Sequence, residues 1–138
     1  MTEKTLQTQN KELVINFLKA IENRVDTAEL SVYYHDEVEQ TEYPNALVKN
    51  TVLRDKAALL EAAERGKNVI TKETYEIVSL NAVDNTVMLE CIWKGTLAIP
   101  LGQLKAGEQL IAHFAQFYTL KDGKIFRQKN YDCFEPFQ

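Results

Sequence analysis

EQLIAHFAQFYTL, KDGK and IFRQKNYDCF follow one another from Glu108 to Phe134. Two runs rich in aromatic and aliphatic residues flank an Asp-Gly pair, which signals a β-hairpin. His113, Gln116, Asn130 and Asp132 interrupt the otherwise apolar runs. A strongly curved sheet whose buried face carries a few polar groups is the expected outcome, and that is the anatomy of a small-molecule pocket.

Register follows from the turn. Counting outward from Asp122-Gly123 sets residues whose numbers sum to about 245 opposite one another, so His113 is expected near Asp132. By two-residue alternation Asp132, Asn130, Gln128 and Phe126 share a face, as do His113, Ile111, Ala115 and Phe117. His113 and Asp132 are therefore expected in one cavity, with Trp93 nearby. A bulge or a one-residue slip would separate them.

Working back from the hairpin, two more strands are expected. Thr71 to Ala82 carries Thr, Tyr, Ile and Val. Val87 to Ile99 sets Val87, Leu89, Cys91, Trp93, Leu97 and Ile99 against Glu90, Lys94 and Thr96. Upstream, Leu13, Phe17, Ala20 and Ile21 recur at helical spacing, so Thr5 to Asn23 reads as an amphipathic helix. Asp26 is an N-cap for a short second helix through AELSVYY. His35-Asp36-Glu37 reads as a turn, and Val38 to Tyr43 as a short edge strand stopped by Pro44-Asn45. Residues 45–53 read as a loop, and Arg54 to Arg65 as a helix ended by Gly66. The order, helices first and then a meander of long antiparallel strands, is an α+β layout. It implies a cone-shaped curved antiparallel sheet with helices packed on its concave face, enclosing a pocket. Residues 1–138 are expected to form one domain.

Composition narrows the function classes. Apolar residues make up 45% and charged residues 26% of the chain, as in a globular domain. The net charge of −4 and the lack of any basic run speak against nucleic-acid binding. No apolar run reaches the roughly 20 residues of a membrane helix. The polar N-terminus lacks a signal-peptide core, so a cytoplasmic protein is expected. Cys91 and Cys133 show no metal-ligand spacing and read as reduced thiols. His35-Asp36-Glu37 are successive residues, which rarely converge on one ion, so no metal site is expected.

The long first helix, the segment YYHDEVEQTEYPN, and above all FYTLKDGKIFRQKNYDCF with its Tyr131-Asp132 end resemble the nuclear transport factor 2-like superfamily, in particular its SnoaL-like polyketide cyclase branch. The resemblance spans nearly the whole chain. It implies a deep pocket between sheet and helices, a homodimer, and enzymes that work without a cofactor through pocket carboxylates, histidines and tyrosines. The chain departs from two members of that group. It has no Asp-x-Arg or Arg-x-Asp on its strands, as the epoxide hydrolases have. It has no Tyr or Asp between Thr2 and Val25 to match the ketosteroid isomerases.

His113 and Asp132 are the candidate catalytic pair. A histidine can serve as a general base near neutral pH, and burial would raise the pKa of an aspartate into the range of proton transfer. Asn130 shares the face of Asp132 and could hold a carbonyl or enolate oxygen. Trp93, Phe17, Phe117, Tyr34 and Tyr43 are the candidate pocket walls, with at most one of Tyr33 and Tyr34 pointing inward. Glu39 and Glu42 are expected in solvent or, as carboxylates on a short strand, over the cavity mouth, and Arg127 and Lys129 in solvent or against a partner subunit. Two functions stay open. One is a cofactor-independent isomerase, cyclase or dehydratase acting on a small apolar carbonyl compound. The other is a non-catalytic module holding a ligand or a protein in the same cone. A homodimer is expected because both faces of Glu108 to Leu120 are apolar.

Overall fold

A computed structural model describes residues 2–138. Three helices precede or interrupt six strands: α1 (Glu3–Glu22), α2 (Thr27–Ser31), β1 (Tyr34–Glu42), β2 (Val52–Arg54), α3 (Lys56–Gly66), β3 (Ile70–Val83), β4 (Thr86–Leu97), β5 (Gln109–Lys121) and β6 (Lys124–Phe134). Each helix starts on a side-chain cap. Thr2 Oγ1, Asp26 Oδ1 and Asp55 Oδ1 accept from the amides of Thr5, Glu29 and Ala58, satisfying donors that the first turn leaves free. Asp55 as cap is why α3 begins at Lys56 and Arg54 stays extended in β2, two residues later than the sequence pattern indicates.

The strands form one curved, unclosed sheet in the order β2-β1-β6-β5-β4-β3. The long meander β3 to β6 is antiparallel as expected, but β1 runs parallel to β6. Two expectations about this region need correction. β1 is not an edge strand, because β2, emerging from the end of the 45–53 stretch, covers it. His35-Asp36-Glu37 is not a turn but the first part of β1, its polar side chains lying mostly outward. A polar trio carries no alternation from which a strand could be read.

Helices pack on the concave face. Phe17 of α1 is nearly buried and meets Tyr34 at 5.5 Å and Tyr118 at 6.2 Å between ring centroids. That T-shaped cluster seats α1 on the sheet. At the other end of the sheet, Trp93 stacks on Phe114 at 5.6 Å, with Phe134 edge-on to both. Strict alternation on β5 sends Leu110, Ala112, Phe114, Gln116, Tyr118 and Leu120 inward and leaves Phe117 41% exposed on the convex face.

One irregularity decides the layout of the closing hairpin. Asp122 and Gly123 both have positive φ, 55° and 71°, which is the turn that an Asp-Gly pair favours. Leu120 then faces Ile125, but Thr119 faces Arg127. Phe126 is the extra residue of a β-bulge, and from there every β6 residue is paired one place further on. Phe126 and Arg127 both lie outward, the Arg127 guanidinium 3.9 Å above the Phe126 ring. Gln128, Asn130 and Asp132 therefore turn inward, and Phe126 does not share their face.

Candidate functional site

The cone between helices and sheet contains two adjoining cavities. The outer one has a volume of about 360 Å³ and the inner one about 160 Å³. Ile21, Tyr34 and Gln40 line both and form the wall they share. The outer volume lies in the range typical of small-molecule sites.

The inner cavity gathers polar groups from three adjacent strands on one face. Gln40 of β1 lies beside Gln128 of β6, and Gln128 beside Tyr118 of β5. One row on, Glu42, Asn130 and Gln116 align in the same way. Tyr118 donates its hydroxyl proton to Gln116 Oε1, and Gln128 Nε2 donates to Asn130 Oδ1 at 2.9 Å. Two acceptors remain: Gln128 Oε1 and Asp132 Oδ1 are buried and meet no protein donor among the described residues. A buried acceptor without a partner is costly, so both atoms suit a ligand that brings donors.

Asp132 is the carboxyl that lines this inner cavity. Its carboxyl is pushed up to about 7, first by burial and then by the negative charge of Glu42, with the Arg54 guanidinium pulling the other way. Glu42 is held by Arg54 at 2.8 Å and by the Asn45 side-chain amide at 2.9 Å, and Arg54 also donates to Gln40. This ion pair is largely shielded, with side-chain exposures of 18% and 16%, and lines the outer cavity. Burial also raises Tyr34, Tyr75 and Tyr118 and pushes the Cys91 thiol up to about 12, so these groups stay protonated and can act as donors. Trp93 Nε1 and the Tyr75 hydroxyl both donate to Glu73 Oε1, at 3.0 and 3.4 Å.

The structure separates the residues that the sequence grouped. Asp132, Asn130, Tyr34 and Phe17 line the inner cavity, and Trp93 and Tyr34 line the outer one. His113 does not meet Asp132. It faces Cys133 across the strands and lies on the exposed convex side, with Nε2 3.0 Å from Glu135 Oε2. The Phe126 bulge is the physical reason, since it shifts the register by the single residue that exchanges the faces. Phe117 lies on the same outer face. Tyr43 stacks on the exposed Tyr131 at 4.7 Å and lines neither cavity.

Several residues of the site gave little warning. Glu42 reads as solvated, yet it is half-buried against Arg54. That pair depends on β2, a three-residue strand with no pattern of its own. Gln40 sits between the polar residues Glu39 and Thr41, so alternation carries little contrast there, whereas alternation does place Gln128 on the face of Asp132. Gln116 and Tyr118 were missed as well, because the cavity is expected on the His113 and Phe117 face of β5 and the structure puts it on the other.

The profile of the SnoaL-like domain family matches residues 14–128. No curated protein sequence matches the chain. Among solved structures the chain is similar to IdmH, a candidate polyketide cyclase from Streptomyces antibioticus. That match has 15% identity, 90% of this chain and 91% of the other covered, and a TM-score of 0.75. A candidate polyketide cyclase from Xanthomonas campestris gives 21% identity, 91% of both chains and a TM-score of 0.73. An epoxide hydrolase from M. tuberculosis, of the kind abbreviated LEH, gives 16% identity, 94% of this chain and 84% of the other, and a TM-score of 0.69. At these identities the likeness is one of fold. The length of the profile match, together with the cone and the strand order, shows that the chain belongs to the SnoaL-like domain family of the nuclear transport factor 2-like superfamily.

Proposed function

We propose that the chain is an acid–base enzyme that moves a proton on a small, mostly apolar carbonyl compound, in an isomerisation, cyclisation or dehydration. The observation that carries this reading is Asp132. Its carboxyl is buried in the inner cavity, has one oxygen without a donor among the described residues, and is pushed up to about 7 by burial. General acid–base catalysis is most effective when the catalytic pKa lies near the working pH.

In the proposed step the Asp132 carboxylate takes a proton from the carbon beside the carbonyl. The electron pair of that C–H bond moves onto the carbonyl oxygen, giving an enolate. Tyr34, kept protonated by burial, and the Asn130 amide lie in the same cavity and supply donors to the oxygen. Returning the proton from Asp132 to another carbon completes an isomerisation. The step uses only side chains of this cavity, and His113 has no part in it.

Deuterium exchange tests this reading. A panel of small cyclic enones and β-diketones is incubated in D2O and the α-proton followed by NMR. Exchange above the buffer rate in wild type, lost in Asp132→Asn, supports the proposal. Equal exchange in the two proteins would remove Asp132 from the chemistry, and tight binding without exchange would make the chain a binding module.

We also propose a homodimer formed through the convex face. Phe117 and Tyr131, 41% and 42% exposed, lie there beside Met88 in a shallow groove of about 440 Å³. An apolar patch on a sheet face is normally covered. Sedimentation velocity should give a dimer at micromolar concentration, and Phe117→Asp should give a monomer. A wild-type monomer would refute the proposal.

A further inference from the structure

We propose that the ligand of this cone is an amphipathic carboxylic acid whose carboxylate is held at the outer cavity by Arg24, with Lys67 beside it. The inference rests on the pocket reading above and names the class of molecule the pocket takes.

Arg24 stands in an unusual place. Asn23 caps the C-terminus of α1 and Arg24 follows with φ 54°. Its amide donates to Ile21 O at 3.0 Å and the next amide, of Val25, to Ala20 O at 3.3 Å. This is the helix-ending turn whose left-handed position is usually glycine, because a Cβ is strained there. An arginine at such a position keeps that strain and gains a long side chain. That side chain lines the outer cavity.

The charge balance of the cavity singles out the same residue. The outer cavity is lined by three cations, Arg24, Arg54 and Lys67, and two carboxylates, Glu42 and Glu73. Glu42 is taken by Arg54, and Glu73 by the neutral donors Trp93 and Tyr75. Lys67 Nζ donates to Val25 O at 3.1 Å and has Glu64 at 3.6 Å on its solvent side. Arg24 Nη2 donates to Lys67 O at 3.3 Å and forms no ion pair among the described residues. One backbone carbonyl occupies one of the five N–H donors of a guanidinium. The rest are free for a planar anion, and the guanidinium fork fits a carboxylate through two parallel hydrogen bonds.

The surroundings complete the ligand's outline. Ala20, Leu59, Ala62 and Ala63 line the space next to these cations, which suits an apolar body. Ile21, Tyr34 and Gln40 separate this space from the inner cavity where Asp132 lies. An acid anchored at Arg24 would thus send its far end, where the carbonyl lies, toward the inner cavity.

The test uses 2-naphthoate and its methyl ester, two probes of nearly the same shape that differ in charge. Isothermal titration at pH 7.5 should show wild type binding the acid about tenfold or more tighter than the ester, the scale of a shielded charge-assisted pair. Arg24→Gly removes the cation and relieves the left-handed strain, so its melting temperature should not fall. Arg24→Asn, also tolerated in that conformation, is the second variant. Both should lose the preference for the acid and keep the affinity for the ester. Equal binding of acid and ester by wild type, or a preference that survives both substitutions, would overturn the inference and leave the pocket reading standing. If neither probe binds, both fall together.

Discussion

The two faces of the β5–β6 hairpin are built from the same two strands and do opposite things. Tyr118 is fully buried on the concave face, while its neighbour Phe117 is 41% exposed on the convex one. Asp132 looks into the cone with an oxygen that has no partner among the described residues, while Cys133 and His113, next to it in chain and in register, look out. Composition does not distinguish these faces, since both are aromatic and each carries a titratable group. Enclosure does. A carboxyl shut away from water becomes a proton carrier, and a histidine in water beside a glutamate makes only a surface contact.

The largest effect should come from the neighbouring aromatic pair. Tyr118→Ala removes a buried ring and its hydrogen bond to Gln116, and should cost about 3–5 kcal/mol in chemical denaturation. Phe117→Ala should cost less than about 1 kcal/mol of protomer stability. Comparable losses would mean that the convex face is as deeply packed as the concave one.

Asp132→Asn comes next, and its sign is opposite. The folded-state pKa of Asp132, about 7, lies above the ordinary carboxylate value, so the folded protein holds the extra proton between about pH 4 and 7. Stability contributed by this group is therefore present below that window and lost as pH rises through it. The loss amounts to at most about 4 kcal/mol, discounted by partial exposure. The asparagine variant should be more stable than wild type at pH 8, with a flatter melting profile between pH 4 and 7. A variant less stable than wild type at pH 8 would mean that the carboxylate is supported by its surroundings, contrary to the account.

Gly95→Ala should have a middling effect. A Cβ there would lie 2.4 Å from the Trp93 ring. The indole must move off Phe114, at a cost of roughly 1–3 kcal/mol, with a red shift in the fluorescence of the only tryptophan. The smallest effect belongs to His113→Gln. It removes an exposed pair with Glu135 and should change stability by less than about 1 kcal/mol, leaving any catalysis and the titration of Asp132 unmoved.

Much of the fold was legible in the sequence for physical reasons. The Leu13-Phe17-Ala20 stripe, the alternation from Val87 to Leu97 and the Asp-Gly turn each reflect burial on one side only, which is what periodicity records. Asp132 and Asn130 in the cavity were legible on the same ground. His113 was misplaced because a bulge leaves no mark in a run such as Ile125-Phe126-Arg127, where the extra residue is as apolar as its neighbour. Glu42, Arg54 and Arg24 were not legible because their roles depend on tertiary neighbours: a three-residue edge strand, a parallel pairing, and the close approach of two helix ends.

The central claim is that the concave face holds one carboxyl poised for proton transfer. The most direct measurement is the NMR titration of the Asp132 carboxyl carbon, assigned by comparison with Asp132→Asn. The account requires a midpoint near pH 7. A midpoint near 4, that of an ordinary aspartate in water, would contradict it and take away the basis for the proposed chemistry.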